Sequence, residues 1–209
     1  MEQIADAATA IADHDGLDAV TMQVVAERLG AAKMALYRYL PGRAELEAVM
    51  LDRALGAPDT FGDGEWASAL TRWATALYER ASQRPWTVEL IQRPHLPGPN
   101  ELGWYEAGLA ALQELNLDGR EKLDVLAMLA GHVVSIVRQQ AAGPAPEEDL
   151  AKALAPVLMR NAHAFPLTVA AFSQPSGSEH DDALHFGLAR MVAGIEALAT
   201  ARAHPQRRR

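Results

Sequence analysis

TMQVVAERLGAAKMALYRYLPGR, residues 21–43, decides how this chain is read. Met22, Val25, Ala26 and Leu29 fall at i, i+3, i+4 and i+7, which places them on one face of a helix. Thr21 stands just before them, where a hydroxyl can accept a backbone N–H and cap the helix. Gly30 follows at once, where a left-handed residue ends a helix most easily. Only Ala31 and Ala32 separate it from a third helical stretch, Lys33 to about Tyr39, which buries Leu36 and Leu40 and stops at Pro41-Gly42. Two short helices joined by a tight glycine turn make a known DNA-reading unit. The first helix braces against the backbone, and the second lies in the major groove with its N-terminal residues at base edges. Lys33, Arg38, Tyr39 and Arg43 are free to face outward in such a unit.

The rest of the chain is helical as well. Ile4, Ala7, Ala8, Ile11 and Ala12 make an apolar face over Glu2 to His14, closed by Asp15-Gly16. A fourth helix begins near Arg43, with Leu46, Val49, Met50 and Arg53 along one side. Gly56 to Gly64 is a Pro/Gly/Asp-rich break. Longer helices are expected beyond it: Glu65 to Arg84, Trp86 to Arg93, Asn100 to Asn116, Arg120 to Ala142, Glu147 to about Phe172 and Asp181 to Ala203. Pro156 and Pro166 should kink or split the fifth of these. Pro94–Pro99, Gly143–Pro146 and Ser173–His180 read as loops, and Pro205–Arg209 as a frayed tail. Strand formers cluster only at Val133-Val134 and Ile136-Val137, inside a helical pattern. The fold class is therefore all-α, with a three-helix helix-turn-helix domain over residues 1–45 and a larger helical domain over 46–209.

Composition narrows the function. The chain has 209 residues, 49% hydrophobic and 22% charged, enough to bury a core and too apolar to be disordered. It has no cysteine, which excludes disulfides, thiolate metal sites and a cysteine nucleophile, and fits a cytoplasmic protein. No apolar run is long enough to span a bilayer. The net charge of −8 opposes nucleic-acid binding by the chain as a whole, but from Arg28 to Arg43 the charged residues are Arg28, Lys33, Arg38 and Arg43, with no acid among them. No phosphate loop and no nucleophile motif occurs, so an enzyme is not expected, and no cofactor. His180-Asp181-Asp182 and His185 suggest a metal cluster at first sight, but adjacent helical residues diverge, and acids at a helix start answer the dipole. No metal is expected.

Gly16-Leu17-Asp18-Ala19-Val20-Thr21-Met22, Val25-Ala26-Glu27-Arg28-Leu29-Gly30, Leu36-Tyr37-Arg38-Tyr39-Leu40 and Arg43-Ala44-Glu45-Leu46, in this order and at these separations, resemble the N-terminal domain of TetR-type repressors. The resemblance covers roughly residues 2 to 55 and implies roles by position. Thr21 and Gln23 would sit near phosphate at the start of the bracing helix. Lys33, Met34 and Ala35 would open the recognition helix at base edges. Tyr37 and Tyr39 would touch phosphates or sugars, Tyr37 partly packed. Arg38 would reach a guanine or a phosphate, and Arg43 would grip the backbone where the family usually keeps a lysine. Two departures stand out. Ala32 replaces the serine or threonine that often caps the recognition helix, a loss of about 1 kcal/mol. Many members also carry a basic arm before the first helix, whereas this sequence opens on Met1-Glu2 with no arginine: either the arm lies outside this sequence or the protein works without one, and in the second case affinity should rest on few phosphate contacts and weaken steeply with salt.

Beyond Gly56 the resemblance is weak, and it implies only an effector-binding and dimerising helical domain. Trp73, Trp86, Leu90, Trp104, Tyr105, Met128, His132, Met159 and His163 are the candidate pocket residues, because ligand pockets are mostly apolar with a few polar handles. The plainer reading of each is a core position, and for His132 a core histidine bonded to a carbonyl. Leu184, Leu188, Met191, Val192, Ile195, Leu198 and Ala199, with Leu123, Leu126, Ala127, Ala130, Val134 and Val137, recur at helical spacing and are read as a dimer seam, or else as burial within one subunit. The function expected is a homodimeric, ligand-responsive transcription repressor, released from a palindromic double-stranded DNA operator by a small apolar or amphipathic effector. The alternatives are a regulator controlled by a protein partner and an all-helical small-molecule enzyme.

Overall fold

The computed structural model describes residues 1–61, 64–141, 146–173 and 183–203, and within them the chain forms helices and no strand. The N-terminal unit consists of α1 (Glu2–Asp15), a 3-10 turn (Leu17–Ala19), α2 (Met22–Arg28) and α3 (Lys33–Leu36). Thr21 caps α2 as its position suggests: Oγ1 accepts the N–H of Val24 at 3.1 Å. Gly30 then takes φ 63°, a conformation that a side chain would strain, and the chain reverses into α3. Ile11, Val20, Val25, Leu36 and Leu46 are buried together beneath the turn. Each such side chain contributes roughly 1.5–3 kcal/mol of burial, which is what holds helices too short to persist alone.

α3 ends at Leu36 rather than Tyr39. The N–H groups of Tyr39 and Leu40 both donate to the Leu36 carbonyl, at 2.9 and 3.0 Å, so the chain tightens into a turn. Pro41 disfavours helical geometry at Leu40, and Ala32 gives the start of α3 no side-chain cap.

α4 (Arg43–Leu55) belongs to both parts of the molecule. It packs on α1 on one side and on α5 (Trp66–Gln83), α6 (Thr87–Ile91) and α7 (Pro99–Ala111) on the other. A boundary at residues 45/46 thus falls inside a helix, and one continuous core runs from Ile4 to Ile195 across it. α8 (Gly119–Ala141) lies against α5, α7 and α11 (Ala183–Ala203). Asp118 and Glu121 cap its start reciprocally, each carboxylate accepting the other's backbone N–H at 2.9 Å. α6 is shorter than Trp86 to Arg93, and α7 stops at Ala111 instead of Asn116.

α9 (Pro146–Arg160) runs through Pro156, whereas Pro166 opens a separate α10 (Pro166–Phe172). The difference is positional, since a proline at the first turn removes no helical hydrogen bond. α9 and α10 pack chiefly on each other and leave Leu150, Val157, Met159, Phe165, Leu167 and Phe172 exposed. His180, Asp181, Asp182 and the tail Pro205–Arg209 lie outside the described residues.

The apolar stripe of α11 faces inward. Leu184, Leu188 and Ile195 are buried against the chain's own core, as are Leu126, Val134 and Val137 of α8. A second face of each helix remains open: Phe186, Ala189, Ala193 and Ala197 on α11, and Leu123, Ala127, Met128 and Gly131 on α8. Of the residues read as a dimer seam, Leu184, Leu188, Ile195, Leu126, Val134 and Val137 are thus intrachain core, Ala130, Met191, Val192 and Ala199 are half-buried, and Leu123, Ala127 and Leu198 are exposed. Apolar and small residues on the opposite sides form the free surface.

Candidate nucleic-acid interface

The surface around α3 collects cations and aromatic rings. Arg28, Lys33, Met34, Tyr37, Arg38 and Tyr39 are all exposed, Met34 at 73% and Tyr39 at 59%. Among the described residues, the side chains of Arg28, Lys33, Tyr37, Arg38 and Tyr39 have no hydrogen-bond or ion-pair partner. Met34 and Tyr39 turn most of their surface outward and Tyr37 part of it, whereas Leu36 and Leu40, interleaved with them, are 2% exposed. Ala35 is half-buried at the inner edge of the patch, and Thr21 is half-buried with its hydroxyl engaged in the α2 cap. A cap hydroxyl of this kind still has lone-pair and donor capacity.

Two expected contact residues are already engaged. Gln23 Nε2 donates to Glu27 Oε1 at 2.6 Å. Arg43 Nε donates to Glu47 Oε1 at 2.6 Å, and Nη2 reaches the Leu17 carbonyl at 3.4 Å. Arg43 therefore fastens the start of α4 to the 3-10 turn, with Nη1 left unpartnered among the described residues. The uncommitted cations are Arg28, Lys33 and Arg38.

The C-terminal candidates do not form one cluster. Trp73 and Trp104 meet edge to face with centroids 6.2 Å apart, and Phe61 approaches Trp104 at 6.0 Å. Both indoles are committed: Trp73 Nε1 donates to the Trp104 carbonyl and Trp104 Nε1 to the Gly56 carbonyl, each at 2.9 Å. Trp86 turns toward the N-terminal unit, where Nε1 donates to Asp13 Oδ1 at 2.7 Å beside the Arg84–Asp13 ion pair. His132 Nε2 pairs with the Leu184 carbonyl at 3.1 Å, the core role weighed for it. Tyr105 and Met128 lie on outer faces of α7 and α8. Met159 and His163 are exposed on α9 and the turn after it.

Leu90 alone of these candidates lines a cavity of about 180 Å³ between α4 and α6, with Ala44, Glu47, Ala48, Leu51, Arg93, Pro94 and His95. Its polar rim is satisfied. Glu47 also accepts from Arg93 at 3.0 Å, and His95 pairs with Glu101 at 2.9 Å while its Nδ1 bonds the Arg93 carbonyl at 2.7 Å. Burial opposes charging of this imidazole, but the Arg93 carbonyl and the Glu101 carboxylate outweigh it, so His95 titrates above the ordinary histidine value.

Three carboxylates, Asp13, Glu47 and Asp52, join the first four helices to the segment 84–101. None was legible as a contact. Asp52, next to the apolar Val49-Met50-Leu51, carried the one available signal, an acid at the edge of a core face. Among the described residues no helix is long and apolar enough to cross a membrane.

Comparison with known proteins agrees with this architecture. Residues 4–48 match the family described as bacterial regulatory proteins, tetR family, and residues 57–199 match the tetracyclin repressor-like C-terminal domain. The HTH-type transcriptional repressor DrrR1 of Streptomyces coeruleorubidus is 31% identical over 217 residues, covering 97% of this chain and 79% of the relative. The crystal structure of apo ActR from Streptomyces coelicolor superposes with a TM-score of 0.82 at 24% identity, covering 96% of each chain. ActR in complex with actinorhodin matches with a TM-score of 0.80, also at 24% identity, over 95% of this chain and 97% of that one.

Proposed function

The chain belongs to the TetR family of bacterial regulatory proteins, and from that premise we propose that it is a dimeric cytoplasmic transcription repressor that leaves its operator when a small apolar or amphipathic effector enters the C-terminal bundle. The observation that carries the DNA-binding part is the exposed, unpaired set Arg28, Lys33, Arg38, Tyr37 and Tyr39 in a chain of net charge −8. Folding does not require these cations to cluster, whereas phosphate does. Lys33 and Met34 stand at the start of α3, where base edges are read, with Arg38 and the tyrosines beside them on the flanking phosphates.

The similar protein DrrR1 is a repressor of the helix-turn-helix type, which supports the repressor reading. One feature supports a two-headed molecule. The outer faces of α8 and α11 carry Leu123, Met128 and Phe186 among Ala127, Gly131, Ala189, Ala193 and Ala197, a combination that lets helices approach closely and bury apolar surface. A two-fold pair of heads matches a palindromic operator whose half-sites lie about one helical turn apart or a multiple of it. ActR, of the same fold, has been solved in complex with actinorhodin, which supports a small-molecule effector here. The effector acts by its differential affinity for the DNA-compatible and incompatible arrangements of α4.

Lys33→Ala combined with Arg38→Ala tests the interface. Against duplexes selected from random-sequence DNA, the double variant should bind at least a hundredfold more weakly, and the slope of log affinity on log salt should fall by about 0.9 for each phosphate deprived of its cation. Unchanged binding would remove the assignment.

A further inference from the structure

α7 opens without a cap of its own. Its N-cap position is Gly98, which has no side chain, and its first residue is Pro99, which has no N–H. The cap comes instead from Asp52 in the last turn of α4. Asp52 Oδ1 accepts the backbone N–H of Glu101 at 2.9 Å, and Oδ2 accepts Asn100 Nδ2 at 3.1 Å. The same Asn100 amide donates to the Asp52 carbonyl at 3.1 Å. Asp52 is only 7% exposed, so its charge is held by these donors and by the positive end of the α7 dipole. The approach leaves no room for a side chain at Gly98, where a Cβ would fall 2.2 Å from Asp52 Cγ. One turn into α7, Trp104 grips the Gly56 carbonyl that ends α4.

We propose that Asp52 is a positioning residue that fixes the angle at which α4, and with it the DNA-reading head, leaves the C-terminal bundle. The proposal rests on the reading of this chain as a two-headed DNA binder. α4 has 13 residues, about 20 Å at ~1.5 Å per residue. A swing of about 10° about its C-terminal end therefore displaces the Arg43 end by roughly 3.4 Å, the rise of one base pair. Asp52 sits at the pivot, while Glu47–Arg93 and Asp13–Trp86 restrain the far end through exposed or half-buried groups, so loss of its fork to Asn100 and Glu101 loosens that swing without touching the DNA-reading surface. Asparagine does not replace it, because its amide would oppose the amide of Asn100 with a second donor.

The test uses the full chain and a palindromic duplex selected by the wild type from random-sequence DNA, together with versions whose half-sites are one base pair closer and one further apart. The wild type should bind at least tenfold more weakly at either altered spacing. Asp52→Asn and Asn100→Ala should weaken less than threefold. Gly98→Ala, which displaces the carboxylate while leaving it present, should behave as they do, and it keeps the test sound where an Asp52 variant folds poorly. A purely structural role would lower affinity equally at all spacings and leave the wild-type ratio intact, which would overturn the proposal. A wild type that selects no duplex would instead overturn the DNA-binding reading beneath it.

Discussion

Residue 32 allows the stability of the recognition helix to be separated from its electrostatics. Ala32 is exposed, with φ −70° and ψ 135°, the extended backbone of an N-cap, but it has no side chain to accept a hydrogen bond. Ala35 N already donates to the Ala32 carbonyl at 2.8 Å, so the earlier N–H groups of α3 are the unsatisfied ones. Ala32→Ser should supply the missing acceptor without strain and stabilise α3 by about 1 kcal/mol. If α3 melts with the rest of the chain, that is a rise of roughly 2–4 °C in Tm. Ala32→Asp should cap as well and add a favourable dipole interaction of ~0.3–1 kcal/mol. On DNA the two must diverge. A carboxylate about 4 Å from phosphate costs ~1 kcal/mol even in bulk water, and two heads double this, a weakening of about thirtyfold. Serine adds a neutral donor and should leave binding unchanged or tighter. The assays are thermal unfolding, amide exchange across residues 32–40, and fluorescence anisotropy against the selected duplex at several salt concentrations. Aspartate binding as tightly as wild type at low salt would refute the placement of the α3 start beside phosphate, and absence of added protection with either residue would refute the capping argument.

Three further outcomes follow from the packing. A Cβ at Gly187 would lie 2.2 Å from His132 Nε2, so Gly187→Ala should displace the imidazole from the Leu184 carbonyl and cost ~1–2 kcal/mol in denaturant unfolding, and His132→Ala should recover part of the loss. Trp73→Phe keeps an aromatic ring but removes the indole bond to the Trp104 carbonyl, which retains only its helical N–H donor, and should destabilise by about 0.5–1.5 kcal/mol without moving the salt slope of DNA binding. His95 titrates above its unfolded value of about 6.5, so its contribution is fully present below that pH and is lost as pH rises through the folded value. The wild type should therefore lose Tm relative to His95→Gln as pH increases above about 6.5, and a constant difference between the two would show that the His95–Glu101 pair does not form in solution.

Legibility followed the range of the interactions. The α2 cap at Thr21, the glycine turn at Gly30 and the apolar faces of α1, α2 and α4 depend on neighbours a few residues away, and the sequence carried them almost to the residue. The end of α3 was missed because two N–H groups converge on the Leu36 carbonyl, a choice between turn and helix that side-chain periodicity does not encode. On α11, apolar spacing did not separate a dimer seam from burial within one subunit: Leu184, Leu188 and Ile195 pack inward, while Phe186, Ala193 and Ala197 make the helix apolar on its other side too.

An all-helical chain with a basic helix-turn-helix near its N-terminus follows from contiguous residues alone, because helix starts, turns and amphipathic faces are written there. How that unit is joined to the rest depends on long-range packing. Asp13 meets Trp86 and Arg84, Glu47 meets Arg93, and Asp52 caps α7 beside Asn100, 48 residues further along the chain. These bonds link positions with no periodic relation, and each exists because burial brings the partners together and then makes an unpaired charge or N–H too costly to leave.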